Sequence, residues 1–332
     1  MSNFSIQPSA AIQGDCLTVM PMLPPHSIDM VLCDLPYHIT NNSWDTPIPL
    51  EDYLTVGKHM VTFSMLNQLL WSPRKRQIVI NEPEFYCLLN RPMREIAKYW
   101  QEEKRPGLWT HYKKVLKPGG VIALFGAGMF SAELMQTGRD LWRYNLIWEK
   151  SQPTGFLNAN RMPLRSHEDI LLFYRKLPVY HPQKTTGHPR KVSTATHKRN
   201  SALSTNYGSY ALTTYDSTER FPTSVWHFPT DKQKSAIHPT QKPVVLCEQL
   251  IKTYTDECAV VLDNCAGSFT TAVACDNLNR QWIAIEKDAT YFDAGLRRVN
   301  ENREQLGMSP IQPIILSDIG GIEHGRSFCQ PN

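Results

Sequence analysis

The sequence predicts an α/β fold, a mostly parallel sheet with helices on both faces, and three segments carry that expectation. Ile28 to Tyr37 is an apolar strand that runs straight into a proline-containing loop. Leu108 to Ala127 reads as an amphipathic helix, a Lys-Pro-Gly-Gly turn and a buried strand. Ala259 to Asp288 reads as a strand, a glycine-containing loop, a small-residue helix and a second strand ending at an acid. Strands that alternate with helices are joined by crossovers, which makes them parallel and buries both faces of the sheet. Ligands of such sheets sit at the carboxyl ends of the strands, where the loops of interest here begin.

The 332 residues suffice for one large α/β domain with an added module, or for two small domains. Hydrophobic residues make up 41% of the chain, yet no apolar run is long enough to span a bilayer, so a soluble protein with no membrane partner is expected. The first fifteen residues lack a basic segment followed by an apolar one, so a cytoplasmic location without a secretory leader is expected. The eight cysteines include no Cys-x-x-Cys pair and read as free, buried thiols; their spacing matches no zinc-ligand pattern, and no metal is expected. The net charge of +4 is too small to argue for nucleic acid, so the distribution of charge must carry that argument.

That distribution is uneven. From about Tyr180 to Ser235 the chain is polar, and no acid lies between Tyr180 and Asn200. The same run holds His181, Lys184, His188, Arg190, Lys191, His197, Lys198 and Arg199, with Tyr207, Tyr210, Tyr215 and Phe221 following. Basic and aromatic residues so interleaved suit phosphate contacts with some base readout, a solvated loop being the plainer alternative. A second basic cluster, Arg74 to Arg76, lies in a stretch from Glu51 to Pro106 that is helical by pattern around Met93 to Lys104.

Two loops offer chemistry. Asp263 ends an apolar strand, Gly267 lies in the turn before the next helix, and Glu286 ends the following strand 23 positions later. This layout can hold an adenosine, with backbone approaching at the glycine and the later carboxylate accepting from ribose hydroxyls. A single glycine makes a poor pyrophosphate cradle, which argues against a nicotinamide dehydrogenase; an ordinary crossover with a chance acid remains open. Gly126-Ala127-Gly128 also follows a strand but lacks an acid partner, and reads as a tight strand-to-helix turn. The second loop is Asp34-Leu35-Pro36-Tyr37. Its carboxylate and a proline-fixed carbonyl can both accept from one NH2 group, drawing it out of conjugation with its ring, while the tyrosine offers a stacking face. A plain turn closing a strand is the alternative.

Together with His238-Pro239-Thr240-Gln241-Lys242-Pro243, these loops resemble, in kind and order, the β-group of DNA amino-methyltransferases, and Trp148 to Tyr174 resembles the adenine enzymes of phage and prophage type. The resemblance implies a Rossmann-like methyltransferase fold with permuted motif order, S-adenosylmethionine as cofactor and DNA as partner, a homodimer being left open. It implies direct transfer to the N6 amino group of adenine. Cytosine N4 is the runner-up, since that group more often has Ser in place of Asp34. By the same resemblance Asp34, Leu35, Pro36 and Tyr37 form the catalytic loop. Asp15, Asp34, His238, Thr240, Lys242, Asp263, Gly267, Ser268, Thr270 and Glu286 shape the cofactor site, with Lys242 suited to a carboxylate and Glu286 to the ribose. Asp15 approaches the adenine unless it is simply a turn residue. Arg190, Lys191, Lys198 and Arg199 fall in the target-recognition position as DNA contacts.

The same comparison divides the chain into a catalytic half (1–50 and 107–179), an insertion (51–106), a target-recognition segment (180–235), a cofactor half (236–305) and a tail (306–332). Three departures stand out. Leu35 replaces a proline whose functional group is its backbone carbonyl, so activity should survive. Phe269 stands where the family has a second glycine; it is costly in left-handed backbone space and could crowd the methionine tail, which would make the chain an impaired DNA-binding relative. The 51–106 insertion has no assigned role.

Overall fold

The computed structural model describes residues 9–37, 45–56, 59–71, 87–193, 214–230 and 241–316. Its strands in chain order are β1 Ala10–Gln13, β2 Ile28–Cys33, β3 Tyr53–Val56, β4 His59–Thr62, β5 Leu116–Gly126, β6 Trp142–Thr154, β7 Arg165–Phe173, β8 Lys191–Ser193, β9 Tyr215–Ser217, β10 Val225–Phe228, β11 Val260–Asp263, β12 Gln281–Glu286 and β13 Pro313–Ile315. Its α-helices are α1 Cys16–Val19, α2 Phe63–Trp71, α3 Met93–Glu103, α4 Leu108–Val115, α5 Met129–Thr137, α6 Val244–Tyr254, α7 Thr270–Asn277 and α8 Ala289–Gln305. None of the described helices is long and apolar enough to cross a membrane.

Nine strands form one sheet in the order β10-β6-β7-β5-β2-β11-β12-β1-β13, and within it only β7 runs against its neighbours. The alternation of side chains along each strand divides the core. Met30 and Leu32 of β2 join Leu250 of α6, Val273 of α7 and Phe292 of α8 on one face. Val31 and Cys33 join Leu108 and Tyr112 of α4 and Leu134 of α5 on the other. Helices thus cover both faces, as expected.

The Lys-Pro-Gly-Gly turn survives as an irregularity. Leu116 pairs with Ile28 and Val121 with Met30, so the four residues between bulge out of the ladder. A Cβ on Gly120 would lie 2.8 Å from the Asp29 carbonyl, so glycine is needed for that close approach.

Three stretches set apart on sequence grounds relate differently to the main sheet. Residues 53–103 hold the separate β3–β4 hairpin and their own apolar cluster of Leu54, Val61, Leu66, Ile96 and Trp100. The segment leaves and rejoins at one point: Tyr53 and Arg105 exchange backbone hydrogen bonds, and Gly107 N donates to Asp52 at 3.1 Å. The 306–332 tail contributes the edge strand β13, paired with β1. The 180–235 segment contains the β8–β9 pair but also β10, which joins the main sheet beside β6.

Candidate active site

β2 and β11 are neighbours at the centre of the sheet, with Met30 opposite Val261 and Val31 opposite Leu262. From here the remaining strands extend in opposite directions, so the crevice at the carboxyl ends opens between the two. Asp34 and Asp263 therefore emerge side by side although 229 positions separate them in the chain.

Asp34 is held by a lysine. Lys242, 8% exposed and preceding α6, donates to Asp34 Oδ2 at 2.6 Å and lies 3.2 Å from Glu168 Oε2. Lys150 of β6 pairs with the other oxygen of Glu168. Lys150 of β6, Glu168 of β7, Lys242 before α6 and Asp34 after β2 thus form a line of alternating charge. Burial pushes the Asp34 carboxyl up, and Lys242 opposes that rise. Burial would lower Lys242, but the two carboxylates win and its pKa is raised. Burial likewise acts to raise Glu168, and the two ammonium groups overcome it to hold the carboxyl below its usual range. Lys242, expected near a cofactor carboxylate, here has its ammonium engaged by Asp34 and Glu168.

The other oxygen, Asp34 Oδ1, is buried and makes no well-formed hydrogen bond among the described residues, and nor does the Tyr37 hydroxyl, although the two groups lie close enough for each to act on the other's ionisation. A buried acceptor left open is costly unless a ligand completes it. Tyr37 stacks on Phe130 at 4.9 Å between ring centres, so α5, entered through Gly128 in the left-handed region, supplies one wall of the site. Leu35 turns into the apolar cluster on the α4 face. The neighbouring Cys33 thiol is wholly buried, and desolvation pushes its pKa up to about 12. That suits a core thiol rather than a nucleophile.

The loop after β11 is tied down by its own surroundings. Glu286 accepts from Gly267 N at 2.8 Å through one oxygen and from Asp288 N at 2.9 Å through the other. Gly267 has φ 49°, which a glycine adopts at little cost. Asp263 accepts from Cys265 N, and burial pushes its pKa up to about 6. Ser268 and Thr270 are both buried; their hydroxyls pair at 3.1 Å, and Arg298 donates to the Ser268 carbonyl and to Thr270.

Phe269 is in left-handed space at φ 58°, as its position in the loop implied. Its ring does not crowd the cleft. It is fully buried against Trp282 and Phe292 and fills the space left by Gly295, where a Cβ would come within 2.2 Å of it. Asp15 caps α1 by accepting from Leu17 N and pairs with Lys287 at 3.0 Å, beside the end of β12.

These residues suit S-adenosylmethionine. The buried Asp263 carboxylate at the end of β11 favours a cationic ligand, and Glu286 retains free lone pairs for ribose hydroxyls while fixing the glycine loop.

Comparison with known proteins decides the family: the model described as DNA methylase, for the N6 and N4 amino-methyltransferases, matches residues 28–297. The chain belongs to the N6/N4 DNA methylase family. It is accordingly a DNA methyltransferase that depends on S-adenosylmethionine. The Type II methyltransferase M.HpaI of Haemophilus parainfluenzae is 24% identical over 296 residues, 87% of this chain and 73% of that protein. The DNA adenine methyltransferase YhdJ of Escherichia coli K12 is 36% identical over 85 residues, 25% of this chain and 29% of that one. In fold, the chain resembles the PvuII DNA methyltransferase (cytosine-N4-specific) with a TM-score of 0.50 at 14% identity, covering 94% of this chain and 99% of that structure.

His238, Thr240, Lys198 and Arg199 lie outside the described residues. Lys191 is exposed on β8. Arg190, expected at a DNA phosphate, is exposed and donates through two of its guanidinium nitrogens to Asp216 of β9. Sequence reasoning overlooked Glu168 and Lys150. Both lie in the Trp148 to Tyr174 stretch, where charged residues close two long apolar strands, the one signal that could have revealed them. It also passed over Gln241, whose side-chain amide is buried with no hydrogen-bond partner among the described residues.

Proposed function

We propose that this methylase modifies the N6 amino group of adenine at specific sites in duplex DNA, in the cytoplasm, on a base turned out of the helix. The open Oδ1 of Asp34 carries this reading. Lys242 occupies Oδ2, which opposes the rise that burial imposes on the carboxyl and leaves Oδ1 to accept one amine hydrogen. The Leu35 carbonyl is the second acceptor, and the Tyr37–Phe130 pair is the aromatic wall against which the base rests. Drawn toward two acceptors, the amine nitrogen directs its lone pair at carbon instead of into the ring. When bound, S-adenosylmethionine would supply an electrophilic methyl group, which the amine nitrogen would take as the S–C bond broke with its electron pair left on sulfur. The surplus amine proton passes to Asp34 Oδ1 and on to solvent.

Adenine is favoured over cytosine by the 36% identity to an adenine methyltransferase over 85 residues and by the aspartate at position 34. Unmethylated DNA incubated with the protein and isotope-labelled cofactor, then digested to nucleosides and analysed by mass spectrometry, tests the reading. N6-methyladenine is the expected product. N4-methylcytosine alone would transfer the assignment to cytosine, and no methylated base at all would refute it.

A further inference from the structure

The β6–β7 hairpin rises from the active-site edge. β6 runs parallel to β5 and β2, so its end at Thr154 lies on the same side of the sheet as Asp34. β5 stops at Gly126, opposite Asp169, and the hairpin continues past it. Its base is the charge line itself: Glu168, opposite Trp148, reaches Lys242, which holds Asp34. Arg165 is three residues further along, about 10 Å at the rise of a strand.

The tip has an unusual surface. Gly155 in the left-handed region starts it, and backbone bonds from Asn158, Arg161 and Met162 give it a set shape. Phe156 is 77% exposed, Leu157 84%, Met162 60% and Leu164 41%. Arg161 and Arg165 are exposed among them, and between Glu149 and Glu168 there is no acid. Large apolar side chains held in water next to arginines, at the mouth of a site for DNA, have a physical use. Turning a base out of a duplex opens its stack, and an apolar wedge beside it offsets that cost while cations hold the flanking phosphates.

We propose that the hairpin tip is the element that opens duplex DNA, Phe156 and Leu157 entering the stack beside the extruded base and Arg161 and Arg165 binding the phosphates on either side. This rests on the reading of the chain as a methylase of duplex DNA. Net positive charge on the tip matches the phosphate backbone, and continuity with Asp34 puts it beside the target base.

The test compares wild type, Phe156→Ser with Leu157→Ser, and Arg161→Gln with Arg165→Gln on a duplex containing the mapped target. The substituted side chains are exposed, and cofactor binding by calorimetry confirms folding. The serine variant is expected to lose tenfold or more in single-turnover methylation of the matched duplex. A mismatch opposite the target, which weakens the pair to be broken, should restore it to within about threefold of wild type on that mismatched duplex. The glutamine variant should lower the slope of log affinity against log salt by about 1.8, two phosphate contacts. An undiminished rate on the matched duplex, a loss that the mismatch leaves untouched, or an unchanged salt slope would overturn the proposal. So would conversion of a dimer to a monomer by the serine variant in sedimentation, which would make the tip a self-association surface. Absence of methylation by the wild type would instead overturn the functional reading, so the two failures are distinct.

Discussion

The two strand ends that meet at the centre of the sheet are finished in opposite ways. After β11, the backbone is satisfied from within: Glu286 takes two amide hydrogens, Asp263 takes another and the Phe269 ring is sealed in the core. After β2, the loop is braced by a lysine from far along the chain and still leaves a carboxylate oxygen and a phenol hydroxyl open. One end is a fixed mould; the other is an incomplete hydrogen-bond site awaiting a ligand. Binding and chemistry should therefore respond differently to substitutions on either side.

The sharpest separation should come from Asp34→Ala. It removes the amine acceptor, and methyl transfer should fall by at least about a thousandfold while cofactor affinity, measured by calorimetry, changes little. Retained turnover would show that the open oxygen is not the acceptor.

Lys242→Gln should follow, with kcat lower by about a hundredfold. Asp34 must be ionised to act, so activity is present above its pKa and disappears as pH falls through it. Its pKa is already raised by burial, and loss of the opposing ammonium raises it further. The acid limb of the pH–rate profile should therefore move to higher pH. Glu168→Gln should give a smaller loss, about tenfold, because it acts through the lysine. An unmoved acid limb in Lys242→Gln would reduce the charge line to packing.

On the other strand end, Glu286→Gln should weaken cofactor binding by about tenfold, since a neutral amide presents fewer acceptors to the ribose and to the loop. Catalysis at saturating cofactor should change little; a kcat loss with unaltered affinity would contradict the division of labour.

Phe269→Gly should act on stability alone. Emptying its place beneath α8 costs about 3 kcal/mol or more, and relief of left-handed strain returns about 1 kcal/mol. Urea unfolding should show a net loss, with no gain in cofactor affinity. A tighter cofactor would mean that the ring obstructs the pocket after all.

Much of this was legible in the chain. Apolar runs ending at Asp34 and Asp263 marked two strands and their loops, because strand interiors, glycine turns and terminal acids are local features. The helix at Met93–Glu103 was visible from its periodicity for the same reason. The basic run after Tyr180 is less uniformly positive than it reads along the chain. Folding brings Asp256 to His181, Glu219 to Lys184 and Asp216 to Arg190. The described cysteines are all free, as read, but only Cys16, Cys33, Cys247 and Cys275 are buried; Cys265 is half-buried and Cys87 and Cys258 are exposed, since burial of a short apolar side chain depends on what packs over it.

By itself, the sequence determined the parallel α/β architecture, the two functional loops and the residue types available at each, since propensity, turn chemistry and alternation act over a few neighbouring residues. The tertiary structure alone decided the pairings: which lysine holds Asp34, which carboxylate holds that lysine, and where the Phe269 ring goes. Charges and apolar side chains act through space over a few ångströms, and a parallel sheet sets those distances by strand order, which no local pattern encodes.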